Sequence, residues 1–296
     1  METVNSLPEL ELGRVTRAMP PSRYLGVGVS LQRAHYSDFL VAPQPVDWLE
    51  VRTEDYLGDG GYDLHVLEQL RRDYPLSFHG VGLSIGTAGR LDSCHLDRVA
   101  SLVERFQPAL VSEHLSWSVV LARHLHESLP IPFTSESLEV VTQHIDQMQH
   151  AFKRTILIEN VTRDVCFRQD EMTETDFLLE LVTRTGCAIL LDITNLYINQ
   201  CDHDEDAFDA LARIPADAVM EIHVGPHQTT SRSTSDRLSD RVCSDVWRLY
   251  RDTAERFSTA STLVETGGEL LPIELLLDEV STARDVTKAL ASRTAG

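Results

Sequence analysis

Several things are scarce in this chain, and each scarcity removes a class of function. Lys and Arg total 26 against 46 Asp and Glu, a formal net charge of -20. Non-specific binding to nucleic acid or to an anionic membrane needs basic patches, so both are excluded as the main role. Aromatics are 6% of 296 residues, which leaves packing to aliphatic side chains. Five cysteines, Cys94, Cys166, Cys187, Cys201 and Cys243, are an odd number and form no CxxC pair. A disulfide framework or a structural zinc site is not expected from them. No apolar run reaches membrane-spanning length, and Met1 to Leu12 carries no apolar signal segment. The expected location is the cytoplasm. Neither a GxGxxG turn nor a Walker A motif is present, which disfavours nucleotide binding.

What is present is a pattern of apolar runs that end on a charged or metal-capable residue. They are Leu76-Ser77-Phe78-His79, Leu110-Val111-Ser112-Glu113-His114, Ile156-Leu157-Ile158-Glu159-Asn160, Ile189-Leu190-Leu191-Asp192 and Met220-Glu221-Ile222-His223. A buried strand that finishes on His, Glu or Asp incurs a desolvation cost that a metal ion offsets. One such ending has an ordinary explanation, a bonded core histidine or a carboxylate capping a turn. Five in the same strand position point to one convergent site.

Eight strand-like runs alternate with segments of helical spacing. The strands are expected at Leu25–Val29, Val46–Val51, Leu76–His79, Ala109–His114, Thr155–Glu159, Ala188–Asp192, Ala218–His223 and Thr262–Glu265. Helices are expected at Tyr62–Arg72, Ser93–Phe106, Ser135–Phe152, Thr173–Arg184, Asp204–Arg213, Ser244–Phe257 and Leu271–Ala289, with Ser135 and Thr173 as caps. The strands are nearly continuous in Val, Ile and Leu, as strands covered on both faces are. Strict alternation implies a parallel sheet, and eight units fit a (β/α)8 TIM barrel with its site at the strand C-termini. A doubly wound open sheet is the alternative. Residues 1–22 read as a flexible arm and 23–296 as one barrel domain. The Ser- and Thr-rich stretch from Gly225 to Arg237 is long enough for a lid.

The candidate ligands combine His with carboxylate and lack Cys, which excludes soft thiolate sites and suits non-heme Fe(II), Mn(II) or catalytic Zn(II). There are more donors than one ion needs, and a carboxylate can bridge two cations. His35, after the first strand, His227, four residues after His223, and Glu265, ending the last strand, join the set. Glu50 and Glu54 are equally compatible with supporting roles. His65, His95, His124, His126, His144, His150 and His203 lie in helical or loop contexts and are expected at the solvent surface. The glycines of Gly80-Val81-Gly82-Leu83-Ser84-Ile85-Gly86 allow close backbone approach to a ligand, or simply a tight turn.

Taken in order, Phe78-His79-Gly80-Val81-Gly82-Leu83-Ser84, Ser112-Glu113-His114-Leu115-Ser116-Trp117, Ile158-Glu159-Asn160, Leu191-Asp192-Ile193-Thr194-Asn195 and Glu221-Ile222-His223 resemble the multinuclear non-heme iron-dependent oxidative enzymes. That family includes the methanobactin-biosynthesis oxidase. The resemblance runs from about Tyr24 to Pro272. It implies a TIM barrel holding two or three irons of mixed Fe(II)/Fe(III) state. It also implies O2 as co-substrate, a ribosomal precursor peptide as substrate, often modified at Cys and in some members at Asp, and a companion protein that binds the peptide leader. The metal ligands it implies fall on His79, Glu113 or His114, Glu159, Asn160, Asp192, His223 and Glu265, with His35 and His227 close by and Asp236 as a further aspartate. Asp192, His223 and His227 are the catalytic candidates. Two departures stand out. Leu238 occupies the histidine position of an Asp-x-His pair begun by Asp236, and Gly267 follows Thr266 where members often have Trp-Asp or Arg-Asp. Both bear on whether two or three irons are held. The ligand set also fits a metal-dependent isomerase or hydrolase, and the two departures fit a degenerate barrel used as a peptide-binding scaffold.

Overall fold

The computed structural model describes residues 24–120, 123–163, 165–203, 205–226, 241–266 and 271–294. The expected arm over residues 1–22 lies outside them, as does most of the Gly225 to Arg237 stretch.

Eight parallel strands close into a barrel. Around the ring they are Val27–Ser30 (β1), Leu49–Arg52 (β2), Leu76–Gly80 (β3), Leu110–His114 (β4), Leu157–Glu159 (β7), Ala188–Asp192 (β8), Val219–Val224 (β9) and Ser261–Val264 (β10). Between β4 and β7 an antiparallel hairpin, Trp117–Val120 (β5) with Arg123–Leu129 (β6), stands off the barrel. The helices are Tyr36–Val41 (α1), Tyr62–Leu70 (α2), Ser93–Phe106 (α3), Ser135–Phe152 (α4), Glu174–Thr185 (α5), Ile193–His203 (α6), Ala207–Arg213 (α7), Ser244–Arg256 (α8) and Ile273–Thr294 (α9). The expected (β/α)8 barrel is therefore the fold, and the open sheet is excluded by closure of β1 on both β2 and β10.

Period-two alternation sorts the strand residues between two cores. Outward residues such as Val29, Val51, Phe78, Val111, Ile158, Ile189, Leu191 and Ile222 join the large core under the helices. Inward Leu110, Leu157, Ala188, Leu190 and Met220 form a small plug inside the barrel. The next inward positions above that plug are polar. Met220 explains why two of them lie on one strand. Ile189 pairs with Val219 but Leu190 pairs with Glu221, so Met220 is a bulge. The extra residue turns Glu221 and His223 inward, where uninterrupted alternation from Val219 would have sent them outward.

The helix caps follow local chemistry. Thr173 accepts from the Asp176 amide, as expected. The expected cap Ser135 is corrected to Thr134, whose hydroxyl accepts from the Ser137 amide, because the chain turns helical one residue earlier than the Ser135 reading requires. Two helices were not expected. α1 is short, and α6 starts directly on Ile193 without a polar spacer.

Glu174 opens α5 yet is buried, and its carboxylate accepts from the Val161 amide at 3.1 Å. Burial pushes its pKa up to about 8. Below about pH 4.5 the group is protonated whether folded or not and costs nothing. As pH rises towards 8 the unfolded chain loses that proton while the folded chain keeps it, so stability falls. Metal-free Glu174→Gln is therefore expected to match the wild type near pH 4.5 and to exceed it by a few kcal/mol at pH 8.5. Urea unfolding at the two pH values measures the difference, and an equal offset at both would refute the assignment.

Candidate metal centre

The polar strand ends converge at the mouth of the barrel. His79 comes from β3, His114 from β4, Glu159 from β7, Asp192 from β8, His223 from β9, and Glu265 follows β10. The strand register explains their meeting. His114 pairs with Glu159, and Asp192 pairs with His223, so each pair shares the inward face of adjacent strands.

Glu159 is the hub. Its Oε2 lies 3.3 Å from His79 Nε2 and 3.2 Å from His114 Nε2, while its Oε1 lies 3.7 Å from His223 Nδ1. His223 Nδ1 is also 3.1 Å from Glu265 Oε1. Ligand atoms of His79, His114 and Glu159 fall within 4.8 Å of one another, and so do those of Glu159, Asp192 and His223. Two adjacent groups thus share one carboxylate.

The hydrogen bonds behind these groups fix which atoms face inward. His114 Nδ1 donates to the Gly80 carbonyl, which leaves Nε2 with its lone pair towards Glu159. His79 Nδ1 is held by Ser112 Oγ at 2.8 Å. Asp192 Oδ1 accepts from the Thr194 and Asn195 amides at the start of α6, which leaves Oδ2 for the site. Such supporting bonds orient metal ligands.

The charges are badly matched without a cation. Burial pushes His79 well below the usual imidazole range, helped by His114 and His223, and burial also lowers His114. Burial raises Glu159 well above the carboxylate range, and burial with nearby Glu265 brings Asp192 up to about 7. Burial opposes charge on His223, but Glu50 and Glu265 outweigh it and raise that imidazole. Buried Glu159 Oε2 and both His223 nitrogens have no hydrogen-bond partner. The His114 Nε2 lone pair and His79 Nε2 facing a partnerless carboxylate oxygen fit a divalent cation, so the donor set passes this test.

The other sequence candidates divide. Glu113 is buried on the outward face of β4, where Gly80 makes room for it; a Cβ there would lie 2.4 Å from Glu113 Oε2. Of the Glu113 and His114 alternatives, His114 faces the site. Asn160 spends its amide on the backbone of Asp192, accepting at Oδ1 from the Asp192 amide and donating from Nδ2 to its carbonyl, both at 2.8 Å. These two bonds brace the strand that carries Asp192. His35 is buried and its Nε2 donates to the Leu271 carbonyl at 2.7 Å, and it belongs to none of the ligand groups. His227 and Asp236 lie outside the described residues, as do Leu238 and Gly267. Glu54 accepts from the Val81 and Gly82 amides and pairs with His95, holding the loop after β3. The expected surface position of His95 and His144 is corrected. His95 packs on Glu54, and His144 is buried with both nitrogens on the Ile85 and Gly89 carbonyls. Sequence reasoning passed over Glu221, which forms a third ligand group with Glu50 and His223. Its two-residue spacing from His223 was the available signal.

The loop after β3 and the hairpin enclose an open cleft of about 800 Å³, lined by Gly82, Ser84, Arg90, Trp117, Val119 and Pro132 among others. Its two walls are the continuations of the strands that carry His79 and His114. Ser84 holds φ at 56°, a costly backbone state for serine, and its Oγ accepts from the Ser118 and Val119 amides of the hairpin.

A family model described as RiPP precursor modification enzyme MbnB/TglH/ChrH matches residues 26–288. The chain belongs to this family. It is 38% identical over 267 residues to a UPF0276 protein of Anaeromyxobacter sp. (strain Fw109-5), covering 90% of this chain and 94% of that one. A UPF0276 protein of Caulobacter vibrioides is 37% identical over 260 residues, covering 88% and 93%. Family members are enzymes that modify the precursors of ribosomally made peptides. Among solved structures, L-ribulose 3-epimerase superposes with a TM-score of 0.60 at 13% identity, covering 91% of this chain and 98% of that one. Endonuclease IV from Thermus thermophilus superposes with a TM-score of 0.59 at 14% identity, covering 89% and 99%. At those identities they speak to the barrel fold alone. Among the described residues no helix is long and apolar enough to cross a membrane.

Proposed function

We propose that this protein is a cytoplasmic O2-dependent iron oxidase that modifies a ribosomal precursor peptide, working with a companion that holds the peptide leader. The family membership supports the peptide substrate. The observation that carries the metal reading is Glu159, whose two oxygens face two different ligand groups. His79, His114 and Glu159 would hold one iron, and Glu159, Asp192, His223 and Glu265 the other. Iron supplies the one-electron chemistry with O2 that no protein side chain offers.

The chain's own residues do the rest. Ser112 and the Gly80 carbonyl fix the rings of His79 and His114, and the α6 amides fix Asp192. Glu265 is the most open of the ligands, its side chain about one-third exposed. It borders the side from which substrate enters. The cleft beside Trp117 is where residues flanking the reacting one would lie, shielded by the hairpin.

The test combines metal analysis of anaerobically purified protein, Mössbauer spectra of an iron-57 sample, and O2 uptake with the precursor peptide. Two exchange-coupled irons per chain and peptide-dependent O2 uptake are expected. Zinc or manganese alone, persisting after iron reconstitution, with turnover in the absence of O2, would replace this reading with a metal-dependent isomerase or hydrolase. No bound metal under any condition would leave a peptide-binding scaffold.

A further inference from the structure

The two nitrogens of His223 face different carboxylate pairs. Nδ1 looks to the mouth, towards Glu265 and Glu159. Nε2 looks down the barrel, 3.4 Å from Glu50 Oε2 and 3.5 Å from Glu221 Oε1. Glu50, Glu221 and His223 are all buried, the last two completely. Neither Glu50 Oε2 nor either Glu221 oxygen has a hydrogen-bond partner.

These carboxylates were put there by two separate features of the fold. Glu221 points inward only because Met220 bulges, and it then stands one inward position below His223 on the same strand. Glu50 reaches in from β2, which is separated from β9 by β1 and β10 around the ring. Its inward register is set by its pairing with Ser30 and Ser77. Two acids from different walls of the barrel therefore meet beneath one imidazole.

We propose that Glu50 and Glu221 are positioning residues for the metal centre, accepting the Nε2–H of His223 so that Nδ1 presents its lone pair to the metal. The inference rests on the metal-centre reading above. A neutral imidazole has one N–H and one lone pair. A ligand through Nδ1 must carry its proton on Nε2, and in a fully buried ring that proton needs an acceptor. On β8 and β9 the other inward residues beneath His223 are the apolar Leu190 and Met220. A carboxylate behind a ligating histidine fixes its tautomer and orientation and raises its basicity. Spanning β2 and β9, the pair also fixes the ring from two directions, which one acceptor could not do.

The competing use of the same atoms is a further cation held by Glu50, Glu221 and Nε2. With Nδ1 already a ligand, it would require an imidazole stripped of both protons.

Cobalt(II) is the probe, because its binding and visible spectrum are read without O2 chemistry or peptide. Wild type, Glu221→Leu, Glu221→Gln and Glu50→Gln are titrated against a competing chelator, and the metal-free forms are melted. Positioning predicts that metal-free Glu221→Leu still folds cooperatively, since Glu50 Oε2 remains 3.4 Å from Nε2 to take its proton. Its cobalt affinity should fall about 10- to 100-fold, with an altered ligand-field spectrum. The Gln variants, which keep an acceptor oxygen, should recover most of that affinity. Unchanged affinity in Glu221→Leu, or a loss of affinity that merely tracks lost stability, overturns the proposal. So does an anomalous cobalt peak between Glu50, Glu221 and Nε2 in wild-type crystals. Failure of wild type to bind cobalt at all sinks the metal centre itself and with it both readings, whereas tight cobalt binding without iron-dependent O2 uptake sinks only the oxidase.

Discussion

Glu159→Ala is expected to empty the whole metal centre, whereas Glu113→Gln is expected to leave it loaded. Glu159 is the one side chain shared by the group of His79 and His114 and the group of Asp192 and His223. Its removal takes one of three donors from the His79 and His114 group and one of four from the Asp192, His223 and Glu265 group. It also removes the negative charge that lets two cations sit side by side. Metal content should drop from two ions per chain to nearly none. Activity should fall by at least about 10³-fold, since loss of metal assistance forfeits several kcal/mol at about 1.4 kcal/mol per tenfold. Glu113 is equally buried and one residue from a ligand, but it faces the helices. Burial and the nearby Glu54 raise its pKa well above the carboxylate range, so an uncharged amide mimics its protonated form. Plasma mass spectrometry on both variants decides. Two ions retained in Glu159→Ala, or lost in Glu113→Gln, would overturn the ligand assignment.

The contrast between these two glutamates shows what the sequence could and could not convey. The strands were legible because parallel strands covered on both faces are short aliphatic runs, and the polar residue at each run's end marked the barrel mouth. The final choice within Ser112-Glu113-His114 was not legible, because it depends on which face of β4 meets the interior. Only the register with β3 and β7 settles that. Glu221 was hidden for a related reason. In a regular strand it would share a face with Val219, an outward core residue, and the Met220 bulge removes that constraint. Asn160, a ligand by the family resemblance, also bonds the Asp192 backbone across the strand pair, a bracing contact that its position after Glu159 does not reveal. His144 lies on a helix face that looks ordinary by spacing. Its buried state depends on two carbonyls from the loop after β3, some 55 residues earlier, a contact no local pattern encodes. The hairpin of β5 and β6 was missed because the alternation of barrel units absorbed its residues into the connection between two strands.

Metal loading should also raise thermal stability strongly, and the gain should shrink as pH falls. In the metal-free barrel Glu159 and Glu221 have buried oxygens with no hydrogen-bond partner, and so does Glu50. A cation that binds only the folded state adds RT ln(1 + [L]/Kd), about 4 kcal/mol at a thousandfold excess over Kd for one site. A chain of this size gains about 2–4 °C per kcal/mol. One well-filled site should therefore lift the melting temperature by about 8–16 °C at pH 8, and a second site should add to it. The sign of the pH effect follows from who holds protons. Burial raises Asp192 to about 7 and Glu50 to about 8, so below pH 7 the folded metal-free state keeps protons on its carboxyl groups. A cation must expel the protons on its ligands Asp192, Glu159 and His223, all of which the metal-free site holds more tightly than usual, and each unit of pH costs up to about 1.4 kcal/mol for every proton released. His79, which burial pushes well below the usual imidazole range, stays neutral and does not compete. Differential scanning calorimetry with manganese(II) or anaerobic iron(II) from pH 8 to pH 6 measures this. A large gain at pH 8 that fades towards pH 6 is expected. No gain, or one independent of pH, would mean that the converging carboxylates are not metal ligands.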